Sequence, residues 1–155
     1  MNLRSSQDAF RVQEIGMKTV WKCPKCGREF TRPGHPHSCG PYRVEDYLEG
    51  KSPAGVALYR EFEAVALSVG DVVLAPAKTR IGFQHGRIFA AVNAIRQGRI
   101  DVHIVTARPI RSRRIRRVES LGPSDPVNHF SIESASQIDE QVIRWLRAGY
   151  RWGVG

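Results

Sequence analysis

Long apolar runs are missing from this 155-residue chain. The longest, such as Val72-Val73-Leu74-Ala75, cover a few residues, whereas a bilayer-spanning helix needs about 20. A membrane span is therefore excluded. The first residues carry Arg4, Asp8 and Glu14 and no apolar segment, so the chain reads as one without a secretory signal. Cysteine is scarce: there are three, all between positions 23 and 39. An odd, clustered set in a chain without a secretory signal argues against a disulfide framework. Motifs of covalent and nucleotide chemistry are also missing. The chain has no Gly-x-Ser-x-Gly elbow, no phosphate-binding glycine loop and no cysteine outside the cluster, so no nucleophile is evident. There is no internal repeat and no low-complexity tract.

What is present is an ordinary globular composition with an excess of positive charge. Hydrophobic residues make up 41% and charged residues 25%, close to globular averages, which excludes wholesale disorder. Lys and Arg number 24 against 15 Asp and Glu, a net charge of +9. The excess is uneven: +4 over residues 1–42, +1 over 43–107 and +4 over 108–155. Clustered basic charge of this kind is the footprint of a polyanion partner. Its plainer reading is solubility. The chain is expected to be a soluble, cytoplasmic, basic protein.

The cysteines stand in Cys23-Pro24-Lys25-Cys26-Gly27 and His37-Ser38-Cys39-Gly40. Cys-x-x-Cys closes a tight turn that aims both sulfurs at one point, and the following glycine lets the backbone curl around them. Three thiolates and an imidazole make a closed tetrahedral site of structural zinc type, with no open position for a catalytic water. In an extended segment His35, His37 and Cys39 project to the same side. Spacing therefore favours His37 over His35 only through the loop length it leaves after Cys26. A redox pair of Cys23 and Cys26 is the competing reading, but no βαβ pattern surrounds them. Trp21 and Phe30 flank the turn, where burial over the metal is commoner than base stacking.

The remaining pattern predicts four parts: a disordered leader over 1–20, a zinc knuckle over 21–42, an α+β domain over 43–150 and a tail over 151–155. Residues 1–16 are polar and aperiodic, which leaves little apolar surface to offset ordering entropy; Met17 is a plausible start. Val44 to Leu48 reads as a short helix. Ser52-Pro53 reads as the cap and first residue of a longer one, whose apolar stripe runs through Leu58, Tyr59, Phe62, Val65, Ala66 and Val69. Strands are expected at 72–74, 78–83, 88–95, 100–106 and 127–132, with turns at His85-Gly86 and Gln97-Gly98. Ser134 with Gln137 resembles a capping box, before a closing helix with Ile138, Val142, Trp145, Leu146 and Gly149 inside. The predicted fold is α+β: a largely antiparallel sheet with helices on one face, preceded by a small zinc knuckle.

The segment 21–30, with His37-Ser38-Cys39-Gly40 and Lys78-Thr79-Arg80-Ile81-Gly82-Phe83-Gln84, resembles a bacterial family catalogued as domain of unknown function 5655. Asp101-Val102-His103-Ile104-Val105, Val127-Asn128-His129-Phe130 and Val142-Ile143-Arg144-Trp145-Leu146 are similar to it as well. The resemblance spans residues 21–150. It implies a Cys/His knuckle on a compact α+β domain, His37 rather than His35 as the ligand, and no established activity. This chain departs from the family at Gly55, where an acidic residue is common, which implies weaker capping. Residues 1–16 have no counterpart.

Two clusters carry the functional expectations. Arg108, Arg111, Arg113, Arg114, Arg116 and Arg117 fall in ten residues without an acid. Guanidinium groups contact phosphates bidentately, and with few uncommitted aromatics the binding should be backbone-dominated and tolerant of sequence. A solvated loop pairing with Glu119 and Glu133 is the plainer reading. Lys78, Arg80, His103 and His129, with Asp101, form the second cluster. They suggest a cationic pocket in which a histidine acts as general acid–base, although a strand-face histidine is more often simply hydrogen-bonded. The expectation is a non-enzymatic, zinc-stabilised domain that binds a polyanion, nucleic acid, through phosphate contacts. A protein-interaction module is the alternative, and an enzyme using His103 and His129 a weaker one.

Overall fold

A computed structural model describes residues 21–25, 27, 29–30, 33 and 42–155. The chain falls into two units, 1–39 and 40–155. In the first, β1 (Trp21–Lys22) and β2 (Glu29–Phe30) pair antiparallel, Trp21 opposite Phe30 and Lys22 opposite Glu29. The leader expected over 1–20 and the candidate ligands Cys26, His35, His37 and Cys39 lie outside the described residues.

The second unit begins with α1 (Val44–Leu48) and α2 (Pro53–Leu67). Both stand where the apolar spacing places them. Ser52 caps α2, its Oγ accepting from Gly55 N at 3.1 Å, and Pro53 occupies the first turn, where its missing N–H costs nothing. Gly55 has a reason beyond the cap. A Cβ there would lie 2.6 Å from Arg96 O and from Ile95 Cγ2, so a side chain would push the helix off the sheet.

The strands follow: β3 (Val73–Pro76), β4 (Ile81–His85), β5 (Arg87–Arg96), β6 (Arg99–Val105), β7 (Arg117–Ser120) and β8 (Pro126–Ile132). They form one antiparallel sheet in the order β3-β4-β5-β6-β8-β7. The predicted turns close β4 to β5 and β5 to β6, with Gly86 at φ +75° and Gly98 at φ +69°, a region glycine enters without strain. The strand expected from Lys78 starts instead at Ile81. Residues 77–80 turn back on themselves, Ala77 N donating to Arg80 O at 2.8 Å.

β7 was not anticipated from the sequence. Its four residues are all exposed, so it lacks the buried alternation that marks a strand. To reach the outer edge, the chain from β6 must pass β8. The crossing loop, 106–116, carries the arginine run. It is neither the strand nor the helix its composition allowed. Asn128, fully buried, holds it: Ile110 N donates to Asn128 Oδ1 at 2.9 Å, and Asn128 Nδ2 donates to Ile104 O and Thr106 Oγ1, each at 2.9 Å. Ile110 and Ile115 pack on the core beside it.

After a 3-10 turn (Ala135–Gln137), α3 runs over Glu140–Val154. The Ser134/Gln137 box is not what caps it. Asp139 does, accepting from Val142 N at 3.2 Å, while Gln137 Oε1 accepts from Glu133 N at 2.6 Å. The expected tail at 151–155 is helical through Val154, and Trp152 is buried. Its indole N–H donates to Asp125 Oδ1 at 2.8 Å, and the Arg87 guanidinium lies 3.7 Å over its ring.

Cross-strand partners share a face of an antiparallel sheet. The rows Ile81-Val92-Val102-Phe130 and Phe83-Ala90-Ile104-Asn128 therefore line one side. Both long helices cover that side: Phe62 meets Phe83 edge-on at 5.6 Å and Trp145 meets Phe130 at 5.1 Å. The expected α+β architecture, with helices packed on a six-stranded antiparallel sheet, is what the domain adopts. Among the described residues of this unit, the other side of the sheet is not covered by either long helix.

Candidate functional site

The side of the sheet away from the two long helices holds a groove of about 940 Å³. Its floor follows from register. One cross-strand row reads Gly82-Ala91-His103-His129-Arg117, and the next reads Ala94-Asp101-Ser131. Strand alternation puts Asp101 with His103, and His129 with Ser131, on the same face. Arg80, Ile88, Asn93 and Ala94 bound the groove toward β4 and β5, and polar side chains from β6 to β8 line the rest.

The two histidines are direct partners across β6 and β8, their rings 5.4 Å apart. Asn93 Nδ2 donates to His103 Nδ1 at 2.8 Å, and His129 Nε2 donates to Glu119 Oε1 at 2.7 Å. Burial, then the charges of His129, Arg80 and Arg117, hold the His103 imidazole down at about 4, with Glu119 opposing. Asp101 is the hub of the second row. It accepts from Ser131 Oγ at 2.8 Å and Arg96 Nε at 3.1 Å, and Arg99 Nε stands 3.2 Å away. Burial would raise its carboxyl, but the Ser131 hydroxyl and the two guanidinium groups outweigh this and hold it below its usual value. Glu119 is likewise lowered, by the His129 hydrogen bond and then by Arg117, whose Nη1 is 3.2 Å away.

Five arginines line the groove, Arg80, Arg96, Arg99, Arg116 and Arg117, against two carboxylates, Asp101 and Glu119. Arg116 Nη1 donates to Ser131 Oγ at 3.3 Å. Arg80 is exposed at the rim with no side-chain hydrogen bond or ion pair among the described residues. With both histidines neutral, the lining keeps three positive charges in excess.

Of the pocket residues expected from sequence, Arg80, His103, His129 and Asp101 come together here, whereas Lys78 is exposed in the β3–β4 turn and does not line the groove. The arginine run divides. Arg116 and Arg117 line the groove, Arg108, Arg111 and Arg113 are exposed on the crossing loop, and Arg114 turns inward. Asn93, Arg96, Arg99, Glu119 and Ser131 were missed. The alternation on β8 was enough to pair Ser131 with His129, but nothing in the sequence states which strands adjoin.

Residues 44–153 match the family described as domain of unknown function DUF5655. The chain belongs to the DUF5655 family. The match takes in α1, α2, α3 up to residue 153 and all six strands of the sheet, and begins after the Cys/His segment. No curated protein and no solved structure matches the chain. The DUF5655 domain therefore has to be read from its own geometry. Among the described residues, no three His, Cys, Asp or Glu side chains stand close enough to hold a metal, and no helix is long and apolar enough to cross a membrane.

In the N-terminal unit, Cys23 is buried at the end of β1. Gly27 N donates to Cys23 O at 2.8 Å, and Gly27 sits at φ +76°. Gly27 thereby closes a tight turn in a backbone region that glycine enters without strain.

Proposed function

We propose that the DUF5655 domain binds a polyanion, nucleic acid, through phosphate contacts on the face of its sheet away from the two long helices. The observation that carries this reading is the groove itself: among the described residues, five guanidinium groups line one concavity against two carboxylates. Asp101 and Glu119 each share their charge among neighbours, so Arg80, Arg116 and part of the Arg96–Arg99 pair remain to meet an anion. Guanidinium forks suit phosphate oxygens. Arg108, Arg111 and Arg113 add exposed charge on the crossing loop. Among the described residues, no Phe, Tyr or Trp with an exposed ring lines the groove, so stacking contributes little and sequence preference is low.

The test is fluorescence anisotropy with labelled single- and double-stranded oligonucleotides over a salt series. Affinity should fall steeply with salt, with a log–log slope near 0.9 per phosphate contact on duplex DNA. Replacing Arg116 and Arg117 together by Gln should flatten that slope. No binding at low salt would remove this reading in favour of a protein-interaction module.

The N-terminal unit is proposed to hold one structural zinc through Cys23, Cys26, His37 and Cys39. The turn at Cys23–Gly27 supports this, as does a donor set of soft thiolates with one imidazole, which suits Zn²⁺. Zinc would tie that segment together and supply no reaction step.

The His103–His129 pair favours a second reading, an enzyme acting on phosphate esters with the two imidazoles moving protons. Cleavage of an RNA oligonucleotide, lost in both His103→Gln and His129→Gln, would establish it. Intact substrate after prolonged incubation removes it.

A further inference from the structure

Resting on the polyanion reading, the geometry points to a single-phosphate subsite on the groove floor, at His103 and His129, which takes up one proton together with the phosphate. The two imidazoles are register partners with rings 5.4 Å apart. Ser131 lies two residues along β8 on the same face, and Arg80 and Arg117 flank the two histidines. With Asn93 Nδ2 donating to His103 Nδ1, the neutral His103 ring carries its proton on Nε2, a donor on the groove lining.

The proton coupling follows from what surrounds His103. From β5 it meets Asn93, from the turn before β4 Arg80, from β8 His129, and from β7 Arg117 and Glu119. On its own strand Asp101 faces the same side, already saturated by Ser131, Arg96 and Arg99. The neighbours that keep the ring neutral are burial and three positive or potentially positive groups. A phosphate in the groove reverses the electrostatic part. It adds negative charge beside the ring, and it draws the Arg80 and Arg117 charges to itself. The added proton goes to Nδ1, with the Asn93 amide turned so that its Oδ1 accepts from it, and the imidazolium becomes the favoured form only when the anion is present. Asp101 and Glu119 are both held below the ordinary carboxylate range, so neither competes for the proton, which is assigned to His103.

Linkage then fixes the sign. The bound state holds one more proton than the free state between the free and bound values of His103. Affinity must rise as pH falls through that interval, by up to about tenfold per pH unit.

The experiment measures affinity of the full chain for a 5′-hydroxyl oligonucleotide between pH 8 and pH 5.5 at fixed low salt. Its phosphodiesters do not titrate in this range. A parallel arm uses the same oligonucleotide with a 5′-phosphate. Calorimetry in buffers of different ionisation enthalpy counts protons directly. The expected result is affinity about tenfold or more higher at pH 5.5 than at pH 7.5, with close to one proton taken up. His103→Gln should bring the pH slope near zero. If the dependence appears only with the 5′-phosphate, the subsite takes a terminal phosphate. If both arms show it, the subsite takes a backbone phosphate. Equal affinity at all pH values overturns the proton-coupled subsite and leaves the polyanion reading standing. A slope unchanged in His103→Gln overturns its assignment to that ring. No binding at any pH overturns both.

Discussion

Arg114 reaches from the arginine-rich crossing loop to Asp139, the residue that caps α3, with Nη1 3.1 Å from Oδ1 and 3.2 Å from Oδ2. The same guanidinium donates to Gln141 Oε1 at 3.3 Å and to Gln137 O at 2.7 Å, and lies 5.5 Å from the Trp145 ring. One side chain of the basic run thus fastens the loop to the closing helix. Its neighbours in sequence, Arg113 and Ser112, have no comparable role: Arg113 is exposed, and Ser112 Oγ accepts from Arg114 N.

Arg114→Gln should therefore destabilise the domain by about 1–2 kcal/mol, the loss of several charge-assisted hydrogen bonds at a partly exposed site. Arg113→Gln should stay within about 0.5 kcal/mol of the parent. Urea denaturation of the two variants side by side checks this. Equal stability would show that the run acts only as surface charge.

Gly149 faces the sheet where α3 touches it. A Cβ there would lie 2.8 Å from Ile104 Cγ2 and 2.9 Å from Phe89 Cδ2, inside the packed core. Helix propensity alone predicts that Gly149→Ala stabilises by about 1 kcal/mol. Overpacking predicts the opposite, a cost of about 1–3 kcal/mol. The contact should win, and thermal unfolding should show a lower Tm. A raised Tm would mean that the helix shifts outward without loss.

Acid should weaken the anion-free domain before its carboxylates protonate. His103 is held at about 4 in the fold, below its ordinary value near 6.5. The fold thus favours the neutral ring. That contribution is complete above about pH 6.5 and is lost as pH falls toward 4, at most about 3 kcal/mol. Asp101 and Asp139, both lowered in the fold, lose their contribution at lower pH still, beneath the ordinary carboxylate value of about 4. Denaturation midpoints in a low-anion buffer should drop between pH 6.5 and 4.5, and the drop should shrink in His103→Gln. A midpoint flat over that interval would count against the buried-imidazole account.

Elemental analysis of reduced, freshly purified protein should find about one zinc per chain. Cys26→Ser should release it, while the unfolding transition of the α+β domain, which has its own core, stays in place. Protein free of stoichiometric zinc would dispose of the knuckle.

The sequence by itself determined what local chemistry controls. The apolar stripe from Leu58 to Ala66, the Ser52-Pro53 start of α2, the glycines at 86 and 98 and the alternation of β6 and β8 are each legible, because caps, turns and face periodicity depend on residues a few positions apart. The same alternation holds His103 and Asp101 on one face, and it was sufficient, though not used, to pair His129 with Ser131. The tertiary structure alone decided that these two faces adjoin, since β8 inserts beside β6 and sends β7 to the edge. That topology turned the arginine run into a crossing loop, sent Arg114 inward to Asp139 and left Arg116 and Arg117 on the groove. It also moved the start of α3 from Ser134 to Asp139, because Arg114 and Val142 N both engage the Asp139 carboxylate, a convergence of positions up to 25 residues apart that no local pattern records.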